Sequence, residues 1–186
     1  MSVYPPNRRL YRLAIRTALV ASLGWSLAQP AAAAPDEAEA VMFRVRSTDR
    51  AISAFIELAA TRSLTFRKLV ALIEASDGIV YVEPGPCGHG TRACLKLWMG
   101  AGGPNRFLRV MVDRRKADSD ADFMGSIGHE LQHTVEALSE PATVNSLDLY
   151  NFFNRIAPTS ANRFETIAAI NAGDAVRAEL RGRRAY

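Results

Sequence analysis

The stretch Ser126-Ile127-Gly128-His129-Glu130-Leu131-Gln132-His133-Thr134-Val135 is the most informative part of this 186-residue chain. His129 and His133 are four residues apart, and Glu130 directly follows the first of them. On a helix, residues four apart stand one turn above each other, so both imidazoles can reach a single metal ion. The side chain of Glu130 points in a different direction from the two histidines and is free to hold a water molecule. The pattern predicts a zinc site in which Glu130 takes a proton from a zinc-bound water.

The surroundings of the motif favour a helix over residues 121–140. Apolar residues recur there at steps of three and four and form one stripe: Met124, Ile127, Leu131, Val135 and Leu138. The two histidines project to the side opposite this stripe. We therefore expect an amphipathic helix with its back in the core, its ligands facing a cleft, and Gly128 leaving room beside His129.

A catalytic zinc needs a third protein ligand and an open fourth position. No histidine follows His133, so a third histidine ligand from the later helices is not available, and the carboxylates are the candidates considered. Glu165 is the first candidate, because it opens a helix predicted over residues 163–182, beside apolar neighbours. Glu136 and Asp148 remain as alternatives, although Glu136 shares a straight helix with both histidines and is better suited to supporting a ligand than to being one.

The rest of the chain reads as a helix-rich α+β domain. Strands are expected at residues 41–45, 78–82, 95–99 and 106–112, and further helices at 49–61, 64–75 and 146–156. Thr48 and Ser63 are residue types that begin helices. The glycine-rich segment 100–103 is expected to be a hairpin turn. The last three strands follow one another closely, which predicts a short antiparallel meander packed on the helices.

The only two cysteines, Cys87 and Cys94, lie close together. In an oxidising compartment such a pair is expected to form a disulfide that closes a small loop. The alternative, a metal site made by both sulfurs and His89, lacks a fourth ligand and requires reduced thiolates.

Residues 1–34 have the layout of a secretory signal peptide: a basic head, a short apolar stretch and the small-residue run 31–34. The apolar part is too short to cross a bilayer as a helix. We expect residues 35–186 to form a single exported domain, periplasmic or secreted, with no stable membrane anchor after cleavage. The formal charge of the chain is +4, but residues 1–34 hold four basic residues and no acid, so residues 35–186 are formally neutral. The charge therefore gives no support to a nucleic-acid partner.

The chain resembles the zincin metallopeptidases, and more specifically their gluzincin branch, through His129-Glu130-Leu131-Gln132-His133 and a later glutamate. From residue 47 to 180 it also resembles a group of small exported bacterial proteins that share the hexapeptide 128–133 and a Glu-Thr pair at the start of the closing helix. This resemblance implies a zincin-like fold. It also implies that His129, His133 and Glu165 bind one zinc ion and that Glu130 is the catalytic base.

Together these features predict an exported zinc-dependent hydrolase, in the first place a metallopeptidase acting on a peptide or protein substrate. The alternative is a non-catalytic zinc-binding periplasmic module that binds a partner. The two differ at the fourth coordination position, which is open to a cleft in an enzyme and closed by a side chain such as Glu136 in a structural site.

Overall fold

The computed structural model describes residues 43–88, 90–157 and 164–182. The strands in these ranges are β1 (Val45–Arg46), β2 (Gly78–Pro84), β3 (Ala93–Gly102) and β4 (Asn105–Val112). The α-helices are α1 (Arg50–Arg62), α2 (Leu64–Glu74), α3 (Asp120–Leu138), α4 (Ser146–Ile156) and α5 (Ile167–Gly182). The described residues thus form an α+β fold with one small mixed sheet and five helices, and the expected fold class is confirmed at that level. The signal peptide predicted over residues 1–34 lies outside them, as do residues 41 and 42 of the first predicted strand.

The sheet has the strand order β1-β2-β4-β3, so the predicted antiparallel meander is wrong. β2 is parallel to both β1 and β4, and only β3 and β4 are antiparallel. After β2 the chain crosses the end of β4 through residues 85–92 and returns along its far side as β3. A tight turn at Gly103, whose φ is +56°, then closes the β3–β4 hairpin. β2 occupies an inner position, where Val80 and Val82 are fully buried.

Two helix starts show how local capping sets the boundaries. Ser63 caps α2 as expected, with its hydroxyl accepting a hydrogen bond from the Phe66 N–H at 3.0 Å. The first helix is capped by Asp49 rather than by Thr48. The Asp49 carboxylate accepts from the N–H groups of Ala51 and Ile52, and a carboxylate satisfies the free amides of a first turn well.

Helix α3 lies at the centre of the domain. Ile127 and Leu131 are fully buried, as are Val80 and Leu108 on the covered face of the sheet and Phe66 on α2. Burial extends further around this helix than the apolar stripe predicts, since none of residues 121–138 is exposed. The reason is that α5 and α2 also pack on it, and they cover faces that the apolar stripe alone would leave open.

Cys87 and Cys94 form the expected disulfide, which joins the crossing loop 85–92 to the second residue of β3. His89 lies outside the described residues. Because both sulfurs are used in the disulfide, they are not available to a metal as thiolates. Among the described residues, no helix has the length and hydropathy that a bilayer span requires.

Candidate metal centre

Helix α3 places His129 and His133 one turn apart, with their ring centroids 4.9 Å from each other. A carboxylate from a distant part of the sequence joins them, since Glu165 Oε2 lies 3.2 Å from His129 Nε2. The ligand atoms offered by His129, His133 and Glu165 all lie within 4.8 Å of one another. The structure therefore brings together the three residues that the sequence ranked first as metal ligands.

Glu165 does not open the last helix as expected. α5 begins at Ile167, because the Thr166 hydroxyl accepts a hydrogen bond from the Ala169 N–H at 3.1 Å and so caps the helix. Glu165 therefore lies in the segment that leads into α5. Residue 163, where the helix was predicted to start, lies outside the described residues.

Glu136 lies behind His133. Its Oε2 is 3.1 Å from His133 Nδ1, and its Oε1 accepts a 2.7 Å hydrogen bond from the Thr166 hydroxyl. Burial raises the pKa of Glu136, but the hydrogen bonds from His133 and Thr166 outweigh burial, so its pKa is lowered overall. With Nδ1 engaged by Glu136, Nε2 is the nitrogen that His133 can offer to a metal. A carboxylate in this position orients a ligating imidazole and makes it more basic.

Asp148, the third candidate, has a structural task near the start of α4. Its carboxylate accepts hydrogen bonds from the Asn145 amide at 2.7 Å and from the Val144 N–H at 3.3 Å. Asp148 is half-buried and does not belong to the cluster.

Glu130 is the buried acid of the centre, with 8% of its surface exposed. Its Oε2 accepts a 2.7 Å hydrogen bond from the Leu95 N–H of β3, and its Oε1 lies 4.0 Å from His129 Nε2. Burial raises the pKa of Glu130, and the neighbouring His129 and His133 oppose that shift only in part. One carboxylate oxygen is thus fixed on the edge strand, and the other points toward the histidines.

His129 and Glu165 stabilise each other's charged forms. Burial lowers the pKa of His129, but the hydrogen bond with Glu165 and the charges of Glu130 and Glu165 raise it further, so the net shift is upward. The pKa of Glu165 is lowered, chiefly by its hydrogen bond with His129. In the metal-free protein each residue thus favours the charged form of the other, and a bound cation would replace this interaction.

Helix α5 packs very close to α3 beside His129. A Cβ added at Gly173 would lie 3.0 Å from the His129 Cβ and 3.1 Å from the Gly125 carbonyl oxygen. Gly128 faces Val176 and Phe66 rather than the first ligand, so the room beside His129 is provided by Gly173. Sequence reasoning missed Gly173, and it noted Thr166 only as part of the Glu-Thr pair, without a role of its own. The available signal for Gly173 was the group of small residues Ala169, Ala172 and Gly173, which lie three and four positions apart on α5.

Replacing Gly173 with valine should weaken metal binding. The larger side chain has to push either α5 or His129 out of place, because backbone and Cβ atoms surround the position. We expect zinc affinity to fall about 10-fold or more, the range seen when the support of a metal ligand is disturbed. Competition with a chromogenic chelator measures this. Gly182→Val is the matched control, since nothing lies within 4 Å of its added Cβ. Equal affinities in the two variants would show that Gly173 does not position His129.

The centre thus combines two imidazoles, one carboxylate ligand, a buried glutamate and a supporting glutamate. In comparisons with protein-family models, with curated proteins and with solved structures, no match to this chain was found. The chemistry of the centre is therefore inferred from its own geometry.

Proposed function

We propose that the protein is an exported zinc-dependent hydrolase, specifically a metallopeptidase. The observation that carries the proposal is the convergence of His129, His133 and Glu165, with ligand atoms within 4.8 Å of one another, next to the buried carboxylate of Glu130. Two neutral nitrogens and one carboxylate oxygen are a common donor set of catalytic zinc. When bound, zinc supplies a Lewis acid that polarises a carbonyl and makes water more acidic.

Glu130 is suited to move the proton. Its Oε2 is held by the Leu95 N–H, so Oε1 is the oxygen that can accept a proton from an attacking water and later pass it to the leaving amine. Burial raises its pKa, which makes this carboxylate a stronger base than an exposed glutamate. The fixed oxygen keeps the other one aimed at the cluster.

The edge strand β3 favours a peptide as substrate. It pairs with β4 on one side only, and its register shifts between Leu95 and Met99. Residues 96–98, within this shift, are exposed, while the N–H groups of Leu95 and Met99 on either side are bonded to Glu130 and to the Ser146 hydroxyl. An extended peptide can pair with an exposed strand edge through main-chain hydrogen bonds. Because Leu95 also contacts Glu130, a peptide bound there would lie beside the proton-accepting oxygen.

The position of Glu136 supports a catalytic role over the non-catalytic zinc module. Its two oxygens are engaged by His133 and Thr166, and the Gln132 amide lies 3.4 Å from Oε1. A carboxylate held in this way supports a ligand and leaves the fourth position to water or substrate. The disulfide supports export, since such bonds persist in oxidising compartments.

Metal analysis of the purified protein tests the centre directly. We expect about one zinc per chain in the wild type, and a loss of affinity exceeding about 100-fold in His129→Ala and His133→Ala, since removing a ligand costs more than disturbing its support. Glu165→Ala should weaken zinc binding as well. His89→Ala, which changes the third histidine of the chain, is the control and should keep its zinc. A wild-type protein without metal after incubation with zinc would rule the proposal out.

A further inference from the structure

A chain of aromatic rings runs from the metal cluster toward the surface. The His133 ring centroid lies 5.4 Å from that of Phe153, Phe153 lies 6.0 Å from Phe164, and Phe164 lies 5.6 Å from Tyr150. Phe153 is buried at 1% exposure, whereas Tyr150 is 46% exposed. We name Phe153, Phe164 and Tyr150 the aromatic wall. Its inner end supports a metal ligand, and its outer end is open to solvent.

Phe164 holds its place at a conformational cost. Its φ is +75°, a region that glycine adopts freely and that bulky residues avoid. Such strain persists where the surrounding structure requires a particular side chain. Here the Phe164 ring contacts both Tyr150 and Phe153. Phe164 directly precedes the proposed ligand Glu165 in the sequence.

The apolar surface continues beyond Tyr150 along α4. Leu147 precedes Tyr150 by three residues, so the two share a helix face, and Leu147 is 67% exposed. Large apolar side chains left exposed next to one another mark a site that another molecule covers. The ring contacts from Tyr150 through Phe164 and Phe153 to His133 connect this surface with the metal cluster.

From this arrangement we infer that Tyr150 and Phe164 form a subsite for an apolar side chain of the substrate, with aromatic side chains preferred. The inference rests on the proposed function, because it assigns a substrate class to the same centre. Aromatic rings favour edge-to-face contact with another ring, and their negative faces offer no partner to a carboxylate that would lose its water on entering. The protein therefore selects peptides that carry an apolar residue next to the bond that is cleaved.

The subsite can be tested without cleavage, using two hydroxamates that bind zinc identically. The zinc-loaded protein is titrated calorimetrically with N-acetyl-phenylalanine hydroxamate and with N-acetyl-glycine hydroxamate. Burying an aromatic side chain should make the first bind about 10-fold tighter or more. Tyr150→Glu and Phe164→Gly should bring the ratio of the two dissociation constants close to 1, because each removes one ring; glycine also accepts the φ of position 164. Zinc content is measured in parallel.

Ile156→Glu is the control, because it introduces the same charge at another exposed apolar position of α4, six residues away. Its ratio should equal that of the wild type. A wild-type ratio near 1, or a ratio that survives in both Tyr150→Glu and Phe164→Gly, would overturn the subsite.

Cleavage of a mixed peptide library tests the subsite and the proposed hydrolase function independently of each other. Cleavage sites without enrichment of apolar residues would contradict the subsite and leave the hydrolase standing. A zinc-loaded protein that prefers the phenylalanine hydroxamate but cleaves no peptide would support the subsite and contradict the hydrolase.

Discussion

Glu130→Gln is expected to keep one zinc per chain and to lose about 10³-fold or more of its peptide-cleaving rate. General-base catalysis contributes about 10²- to 10⁴-fold, and glutamine cannot accept the proton. The substitution preserves shape, since the glutamine carbonyl oxygen can still accept the Leu95 N–H that now bonds to Oε2 at 2.7 Å. The ligand atoms of His129, His133 and Glu165 are not altered. The loss would therefore be one of proton transfer.

The same variant should not be less stable than the wild type in the metal-free state. Burial raises the pKa of Glu130 in the folded protein above its unfolded value, so the folded state binds the proton more tightly. Unfolding free energy then falls as pH rises from the unfolded pKa through the folded pKa, because the ionised carboxylate is disfavoured inside. Glutamine removes this pH dependence. Denaturant unfolding of both proteins across that acidic-to-neutral range should show a flatter profile for Glu130→Gln.

Rate and metal content have to be measured on the same preparation. Glu140→Gln is a suitable control, since Glu140 lies just beyond α3, and its carboxylate is 3.8 Å from Arg155. It should cleave at the wild-type rate. Unchanged cleavage by Glu130→Gln would remove this residue from the chemistry, and loss of zinc from it would mean that Glu130 is a ligand.

The parts of the structure that depend on local sequence were predictable. The four-residue spacing of His129 and His133 is a property of any helix, and Ser63 caps α2 through a neighbouring amide. The sheet order was not predictable in this way. The hydrophobic alternation of β2 fits pairing with β3 or with β4 equally well, and only the path of residues 85–92 across the end of β4 decides between them.

The same distinction applies to the metal centre. Glu165 was placed first because it comes from an apolar segment that can pack across α3, and it does lie beside His129. The roles of Thr166 and Gly173 depend on how α5 is rotated about its axis and on how closely it approaches α3. Sequence periodicity does not define a helix rotation that finely. Arg106 was missed for a different reason. It lies on the buried face of β4, where a charged residue is not expected from the sequence.

Arg106→Met is expected to cost about 3 kcal/mol or more of unfolding free energy, because each buried carbonyl that loses its donor costs about 1–3 kcal/mol. Arg106 is 7% exposed, and its guanidinium bonds to Asp77 and to main-chain carbonyls at the end of α3 and just beyond. These are the carbonyls of Ala137, Leu138, Glu140 and Thr143. The last carbonyls of a helix have no partner within it and favour a positive charge. Methionine fills similar space but leaves these carbonyls without their donor, whereas the side chain of Asp77, which is 43% exposed, stays hydrated.

Arg109→Met on the same strand is the control. It shows whether the loss of stability is specific to the Arg106 network or follows from replacing any arginine of β4. Arg109 is half exposed, and its Nε lies 3.2 Å from Glu83, so an exposed ion pair of this kind should contribute at most about 1 kcal/mol. Arg106→Lys should fall between the two, because an ammonium group cannot reproduce the planar set of donors. Denaturant unfolding with the disulfide kept oxidised measures all three. If Arg106→Met cost no more than Arg109→Met, the end of α3 would be held by its apolar contacts alone. If the difference is found, Arg106 anchors the helix that carries His129, Glu130 and His133.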